Sequence, residues 1–330
     1  MRICIYGAGA VGGHLAARLA AAGHEVSVVA RGAQLEAVRR NGVTLRAGDE
    51  TIRGRVRASD RPADLGEQDI VVSTLKAPSL PALADGVASL LGRDTGVAFA
   101  INGIPRWYGI GIGRRPAPPD LSALDPGGAL ARAVPPERIL GGVVYSSNEL
   151  TEPGIVTQAK PLKSLFLWGD ADDRDGAACR ALRAATIAAG GESPAVPDIR
   201  AAIWKKLFVN VAGSLLALLT RQPVSAVRED PELGELFRRL WDEMRAVAEA
   251  HGLDFSRETL DPEAMKRNLP HHRPSILQDY ELGRPMEIEA IVRAPRAFAR
   301  AAGVATPTLD TVVALATRLA ADKGLYTRAS

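Results

Sequence analysis

The sequence predicts an α/β protein in which a parallel sheet near the N-terminus is followed by an all-helical domain. A short apolar run, Arg2–Tyr6, leads directly into a glycine-rich turn and an alanine-rich stretch. Over the first hundred residues, further apolar runs alternate with helical spacing, which is typical of βαβ units with parallel strands. From Ile199 onward almost every segment has the helical period.

Apolar runs and turn residues place the individual elements of the two domains. Strands of the first domain are predicted at 2–6, 25–29, 69–75, 96–101, 142–147, 155–158, 164–168 and 192–196. Its clearest helices are predicted at 11–22 and 174–189. Helices of the second domain are predicted at 199–220, 231–251, 262–268, 275–282, 285–302 and 308–322. The boundary falls near Pro197, so the predicted domains are 1–197 and 198–330.

A segment rich in glycine and proline, at about 104–138, interrupts the first domain. Such a long stretch without a regular period is typical of a functional loop or a linker. It begins just after a predicted sheet strand and carries Arg106, Trp107 and Tyr108. We therefore expect this insertion to influence substrate choice, and the alternative is an insertion that lies on the surface.

Composition excludes several classes of protein. With 330 residues, about two domains are expected, and a hydrophobic content of 46% argues against disorder. Two cysteines, Cys4 and Cys179, exclude a disulfide framework and favour a reducing compartment, so we predict a cytoplasmic protein. A net charge of +3 is too small to predict a nucleic-acid partner. No apolar run reaches about 18 uncharged residues, so no membrane span is predicted.

The glycine-rich turn between the first strand and the first helix has the pattern G-x-G-x-x-G. Its residues are Gly7, Ala8, Gly9, Ala10, Val11 and Gly12. The first glycine permits a tight turn, the second lets a pyrophosphate approach the backbone, and the third permits close packing of helix and strand. The pattern in this βαβ context predicts a Rossmann-type dinucleotide-binding domain. The alternative is a turn with a purely structural role.

The residue after the second predicted strand indicates which dinucleotide binds. NAD-binding domains usually carry Asp or Glu at the end of the second strand, whereas this chain has Arg31 there. A guanidinium binds a 2′-phosphate that a carboxylate would repel, so Arg31 predicts NADPH; the alternative is a solvated surface arginine. Lys76 and Asn102 each follow a predicted parallel strand, at the edge where ligands bind. Either could equally be ordinary loop polarity.

The helix predicted at 199–220 is apolar on nearly all sides, which indicates burial. Lys206, Asn210 and Ser214 recur every four residues and therefore share one face of that helix. A buried ammonium needs partners, so this polar row predicts either an internal network or a ligand site. Lys205 lies on a different row and is expected to reach solvent.

Glu287 lies in the first turn of the helix predicted at 285–302. It could belong to the site, or it could stabilise the helix end as a cap. The five histidines have no metal-ligand spacing, and the adjacent pair His271 and His272 receives no role. We predict no metal site.

These features together resemble the ketopantoate reductase (2-dehydropantoate 2-reductase) family. The resemblance rests on the glycine loop, Arg31, Thr74-Leu75-Lys76, Asn102-Gly103, Trp204-Lys205-Lys206-Leu207 with Asn210, and Ser275 with Asp279 followed by Glu287-Ile288. It implies a helical second domain like the C-terminal domain of 6-phosphogluconate dehydrogenase, which would bind substrate and mediate dimerisation. It further implies NADPH-dependent reduction of a 2-oxo acid, with ketopantoate converted to D-pantoate.

The resemblance also implies roles for individual residues. Lys206 would protonate the carbonyl oxygen, with Glu287 as the second catalytic residue. Substrate would be held by Asn102, Asn210, Ser214 and Ser275. Arg31 and Lys76 would hold the 2′-phosphate end of NADPH, with Asn102 also near the cofactor. The implied partner is a small 2-oxo acid, and the chain could act alone or as a homodimer.

Two features depart from the family pattern. Ser214 stands where family members often have a second asparagine, and the 104–138 insertion is longer than in compact members. These departures leave open a reductase of a different, bulkier 2-oxo acid. A protein that senses NADP(H) without turnover is a further alternative, although a sensor has no need of a proton donor such as Lys206.

Overall fold

A computed structural model describes residues 1–158, 164–256 and 273–327. The chain forms two compact units. Unit 1 comprises Met1–Ile101 and Gly128–Ile199, and unit 2 comprises Asn102–Gly127 and Arg200–Ser330. The helix predicted at 262–268, together with His271 and His272, lies outside the described residues.

Unit 1 is built around a seven-stranded sheet with the strand order β11-β8-β7-β6-β1-β2-β5. Its strands are β1 (Arg2–Tyr6), β2 (Glu25–Val29), β5 (Arg57–Ser59), β6 (Gln68–Ser73), β7 (Leu91–Ala100), β8 (Ile139–Tyr145) and β11 (Leu165–Asp170). All neighbouring strands pair in parallel except β11, which runs antiparallel to β8. The predicted α/β class and the parallel sheet are therefore confirmed.

The central strands of this sheet are apolar, which suits a sheet whose faces are both covered. Ile3, Ile5, Val28 and Val72 are fully buried, as expected for the central strands of a parallel sheet. The helices of unit 1 are α1 (Ala10–Ala21), α2 (Gly32–Asn41), α3 (Pro81–Ala84), α4 (Ala129–Ala133) and α5 (Ala177–Ala188).

A second, four-stranded sheet of unit 1 was only partly expected from the sequence. Its order is β4-β3-β10-β9, formed by β3 (Val43–Ala47), β4 (Glu50–Gly54), β9 (Asn148–Glu152) and β10 (Ile155–Gln158). Only β10 was predicted, because polar residues interrupt the apolar runs of the other three. Helix α1 packs on this sheet through Gly13, where an added Cβ would lie 2.6 Å from Val156 Cγ2.

Unit 2 is helical, as predicted. Its helices are α6 (Ile199–Val209), α7 (Leu215–Thr220), α8 (Val224–Glu229), α9 (Pro231–Ala250), α10 (Ser275–Glu281), α11 (Ala294–Ala301) and α12 (Pro307–Asp322). Two π-helical segments interrupt the regular helices, at Asn210–Ser214 between α6 and α7 and at Ile288–Arg293 before α11. Such π segments occur frequently at functional sites.

One helical stretch in the described part of the chain, Ile199–Thr220, is long and apolar enough to cross a membrane. However, 67% of its most apolar stretch of 18 residues is buried inside the protein. Core helices meet the same criterion of length and composition, so this stretch is weak evidence for a membrane span.

Three expectations differ from the structure. The strand predicted at 192–196 is wrong, since Glu192 forms only an isolated bridge with Leu165. The helix predicted from Pro285 begins at Ile288, because the amide of Met286 is bonded to the Leu325 carbonyl instead of entering a helix. The first part of the insertion, Asn102–Gly127, groups with the helices of unit 2 rather than with the first domain.

Arg200 provides the physical reason for that grouping. Its side chain is fully buried, and its guanidinium donates to the carbonyls of Tyr108, at 2.9 Å, and Ile110. It lies 5.9 Å from the ring centroid of Trp107 and 5.5 Å from that of Tyr108. The Trp204 indole also donates to the Tyr108 hydroxyl at 2.8 Å. Trp107 and Tyr108 are therefore core residues of unit 2, not a surface insertion.

We predict that Arg200→Ala lowers the free energy of unfolding by at least about 2 kcal/mol, because the buried Tyr108 carbonyl and the partly buried Ile110 carbonyl lose their donor. Urea unfolding of the variant measures this loss. Arg300→Ala is the matched control, since the Arg300 side chain is 68% exposed and should cost far less. Equal midpoints for the two variants would contradict the role of Arg200.

Candidate active site

The glycine loop of unit 1 has the geometry that its sequence pattern predicts. Gly7 has a φ of +109°, a conformation that favours glycine. A Cβ on Gly12 would overlap the carbonyl oxygen of Gly7. The Thr74 hydroxyl donates to that same carbonyl at 2.7 Å and so ties the loop to the end of β6. The first and third glycines are thus required by the loop itself.

The second glycine has a different environment. Among the described residues, no atom beyond the chain neighbours of Gly9 lies within 4 Å of the position that a Cβ on Gly9 would occupy. Gly9 caps α1 with a φ of −74° and makes no side-chain cap hydrogen bond, and the first turn has no acidic residue. Open space in front of a helix N-terminus is what a pyrophosphate requires, so the loop fits a dinucleotide.

Gln34 contacts the glycine loop, and it was not identified from the sequence as a loop contact. Its side-chain nitrogen donates to the Ala8 carbonyl at 2.6 Å, and its side-chain oxygen accepts from the amide of Gly154 at 3.0 Å. Gln34 therefore fixes the middle of the loop from α2. A glutamine in a polar helix gives no sequence signal for such a contact.

The two predicted phosphate-binding cations follow the two strands that flank β1 in the sheet, β2 and β6. Arg31 is exposed at the N-terminus of α2, directly beyond β2, and its side chain makes no cap hydrogen bond. Burial raises the pKa of the Tyr6 phenol, and the nearby Arg31 charge acts against that rise. Lys76 is exposed just beyond β6. Both are placed at the carboxyl edge of the parallel strands, where ligands bind.

In unit 2 the central group is the Lys206 ammonium. Lys205 is exposed, whereas Lys206 is half-buried, as their rows on the helix predict. Burial lowers the pKa of Lys206 from 10.5 to about 8, and the negative charge of Glu287 opposes this shift. A lysine whose pKa is lowered by burial while a carboxylate charge opposes the shift is typical of catalytic sites.

Glu287 is itself buried, with 4% of its surface exposed. Its φ of −80° and ψ of 49° are not helical, and its side chain does not cap the following π segment. The helix-cap interpretation of Glu287 is therefore wrong. Instead, the Asn102 amide approaches its carboxylate, with 3.4 Å between Asn102 Nδ2 and Glu287 Oε2.

Asn102 reaches Glu287 because the backbone beside it docks onto the same π segment. Gly103 has a φ of +81°, and a Cβ there would overlap the Ala290 carbonyl. That carbonyl accepts from the Ile104 amide at 2.9 Å. Lys206, Glu287 and Asn102 thus form one polar group within unit 2.

The remaining predicted substrate residues lie on adjoining elements. Asn210 is half-buried and Ser214 is 7% exposed, and they begin and end the first π segment. Because this segment is wider than an α-helix, Ser214 departs from the regular row predicted from the sequence. Ser275 is exposed at the start of α10, a helix that packs against this π segment and α7.

One cluster in unit 1 has metal-ligand residue types. Ligand atoms of Asp170, Asp175 and Cys179 all lie within 4.8 Å of one another. However, Arg183 donates to the Asp175 carboxylate, and the Gly176 amide donates to Asp170 at 2.7 Å. Burial and the Asp170 charge raise the pKa of Cys179 to about 12, which keeps the thiol protonated. The cluster is explained by these contacts.

A glycine loop on a parallel sheet, in a chain that also holds a lysine beside a buried carboxylate, defines a dinucleotide-dependent oxidoreductase. Residues 3–110 match the family model described as ketopantoate reductase PanE/ApbA, and residues 198–320 match the model of its C-terminal part. A 2-dehydropantoate 2-reductase of Mesorhizobium japonicum is 38% identical over 99% of this chain and all of the relative. The chain belongs to the ketopantoate reductase family.

Solved structures agree with this assignment. A 2-dehydropantoate 2-reductase from Geobacter metallireducens is 26% identical, with a TM-score of 0.83 over 96% of this chain and 99% of that one. A D-mandelate dehydrogenase with NADH and anilino(oxo)acetate is 20% identical, with a TM-score of 0.80 over 99% of this chain and all of that one. At that identity the second likeness concerns the fold alone.

We predict that alanine at the third glycine affects stability, whereas alanine at the second glycine affects cofactor binding. Gly12→Ala should destabilise the protein by about 1–3 kcal/mol, because the added methyl group overlaps the backbone. Gly9→Ala should melt like the wild type and lose cofactor affinity, because its methyl group fills the space in front of α1. Melting curves and a fluorescence titration with NADPH measure the two effects. Wild-type affinity in Gly9→Ala would place the pyrophosphate elsewhere.

Proposed function

We propose that this protein is an NADPH-dependent 2-dehydropantoate 2-reductase, which reduces ketopantoate to D-pantoate with Lys206 as the general acid. The observation that carries the proposal is the group formed by Lys206, Glu287 and Asn102. A cofactor-binding protein without turnover has no use for a half-buried ammonium whose pKa is lowered to about 8. The family assignment supports the same reaction.

The proposed cofactor contacts lie in unit 1. Gly7 to Gly12 would hold the pyrophosphate at the start of α1, and Arg31 and Lys76 would bind the 2′-phosphate. The absence of a carboxylate at the end of β2 favours NADPH over NADH, because a carboxylate there would repel the phosphate. When bound, NADPH supplies the hydride.

Lys206 would act on the carbonyl oxygen of the oxo acid. As hydride reaches the carbonyl carbon, negative charge develops on this oxygen, and an ammonium within hydrogen-bond reach stabilises it and then donates a proton. A pKa of about 8 suits this role, since the group is still protonated at neutral pH and releases its proton more readily than an ordinary lysine.

Glu287 would hold the substrate and raise the pKa of Lys206. Its carboxylate can accept from the hydroxyl of the oxo acid, and its charge favours the protonated form of Lys206. Asn102 donates toward Glu287 and would thereby orient this carboxylate. Asn210, Ser214 and Ser275 would provide further polar contacts to the substrate, and Asn102 would also lie near the cofactor.

The proposal includes a cytoplasmic location, a small 2-oxo acid as partner, no nucleic-acid or membrane partner, and a homodimer as one assembly to be tested. A screen of 2-oxo acids for NADPH oxidation tests the reaction. Fastest turnover with ketopantoate supports the proposal as stated, and faster turnover with a bulkier 2-oxo acid would replace the substrate.

The Arg31 contact should set cofactor preference. We predict that Arg31→Ala raises the KM for NADPH by roughly ten- to a hundredfold, from a lost charge-assisted contact of about 1.5–3 kcal/mol. The KM for NADH should hardly change. Because the Arg31 side chain makes no helix-cap hydrogen bond, the variant should melt like the wild type. Equal effects on both cofactors would contradict the 2′-phosphate assignment.

The two adjacent lysines provide a matched pair for the general acid. Lys206→Ala should lower kcat by at least about 10²-fold while NADPH still binds. Lys205→Ala should cost far less, since that side chain is exposed. Steady-state kinetics with a cofactor titration separates turnover from binding. The reverse pattern would move the general acid to Lys205.

The pH profile gives an independent measurement of the same group. Because protonated Lys206 is the active form, the rate of reduction should fall as the pH rises through about 8. Since the Glu287 charge raises the pKa of Lys206, Glu287→Gln should move this alkaline limb to lower pH. An unmoved limb would show that Glu287 does not act on the general acid.

A further inference from the structure

The residues that follow the last helix make contacts on both sides of Glu287. We call Lys323–Tyr326 the 323–326 clamp. Helix α12 ends at Asp322, and Gly324 adopts a φ of +69°. The amides of Gly324 and Leu325 donate to the carbonyls of Ala321 and Ala320, each at 2.9 Å. This left-handed turn reverses the chain at the helix end.

The first contact of the clamp precedes Glu287. The Leu325 carbonyl accepts from the amide of Met286 at 3.0 Å. Met286 is 1% exposed, so this amide has no access to water and depends on the clamp for its acceptor.

The second contact of the clamp follows Glu287. The Tyr326 hydroxyl donates to the carboxylate of Glu289. Arg293 also binds that carboxylate, with its Nε 3.0 Å from one oxygen and 3.2 Å from the other. Tyr326 thus completes a three-residue group at the start of the second π segment.

Glu287 depends on these flanking contacts for its position. Its backbone is not helical, and its side chain makes no cap hydrogen bond to the π segment that follows. Its own carbonyl accepts from the Ile291 amide at 3.1 Å, which fixes the downstream side only. The backbone position from which the Glu287 carboxylate meets Asn102 is therefore set by how Met286 and Glu289 are held.

The clamp also contacts the helix that carries Ser275. The Lys323 ammonium donates to the Tyr280 carbonyl of α10 and lies 4.2 Å from the centroid of the Tyr280 ring. Arg221, at the end of α7, lies 5.5 Å from the same ring centroid. The clamp therefore joins α10 and the Glu287 segment, two elements to which substrate contacts are assigned.

We propose that the 323–326 clamp, through the Tyr326 hydroxyl, positions the Glu287 carboxylate for the oxo acid. The expected change in the KM for the oxo acid rests on the proposed function. The expected change in the structure around Glu287 rests only on hydrogen bonds within unit 2. Tyr326 is a positioning residue, since it acts through Glu289 and the backbone beside Glu287.

Hydrogen–deuterium exchange tests the structural consequence without any need for activity. In Tyr326→Phe, amides of residues 284–290 should exchange at least severalfold faster than in the wild type, and peptides of unit 1 should be unchanged. Tyr145→Phe is the matched control, because it removes a tyrosine hydroxyl from an exposed residue of unit 1. Unchanged exchange at 284–290 in Tyr326→Phe overturns the clamp, whether or not the proposed reaction is observed.

Kinetics with the best 2-oxo acid tests the functional consequence. Tyr326→Phe should raise the KM for the oxo acid about three- to tenfold and leave the KM for NADPH unchanged. In a Glu287→Gln background the same substitution should have no further effect on the oxo-acid KM, because the group it positions is gone. Equal effects of Tyr326→Phe in both backgrounds would reduce Tyr326 to a general structural role.

The two measurements also separate this proposal from the proposed function. If the wild-type protein oxidises NADPH with none of the 2-oxo acids tested, the proposed reaction is wrong. The exchange experiment would still decide whether the 323–326 clamp holds the segment around Glu287. An active wild type with an unaffected Tyr326→Phe would defeat the clamp and leave the reaction standing.

Discussion

Burial of the Lys206 ammonium beside the Glu287 carboxylate is the constraint on which unit 2 depends. Removing an ammonium from water is costly unless an opposite charge and hydrogen-bonding groups compensate. The opposite charge comes from a residue 81 positions away along the chain, and Asn102 approaches that carboxylate from a third region. Loop docking, π segments and buried arginine all serve to hold these three distant regions together.

In unit 1 the corresponding constraint is space in front of a helix end. Gly12 and Gly7 are required by the packing of the loop on itself, whereas Gly9 leaves its surroundings open. Thr74 and Gln34 hold the loop from β6 and α2, so its shape is set before any ligand arrives. Such preorganisation reduces the entropy cost of binding a flexible dinucleotide.

Local patterns predicted the parts of the fold that local physics determines. The strands β1 and β2, the glycine loop and the exposure of Lys205 relative to Lys206 follow from periodicity and from turn chemistry. The grouping of Asn102–Gly127 with unit 2 depends on Arg200, whose carbonyl partners lie about ninety residues away, and no local pattern encodes such a contact. Gln34 and Tyr326 were missed for the same reason. The other three strands of the four-stranded sheet, β3, β4 and β9, were missed because polar residues interrupt their apolar runs.

The π segment at Asn210–Ser214 has a consequence for how the long apolar stretch tolerates change. Leu215, Leu216 and Leu218 are all buried, so α7 has no polar side that would reveal its rotation about its axis. Hydrophobic patterning alone therefore does not set which leucine faces which neighbour. Deleting one residue there would restore an ordinary helix and leave α7 facing nearly the same way, because four α-helical residues turn the chain about as far as five residues of the wider turn. What the wider turn changes is the relation between Asn210 and Ser214, the two polar residues that begin and end it.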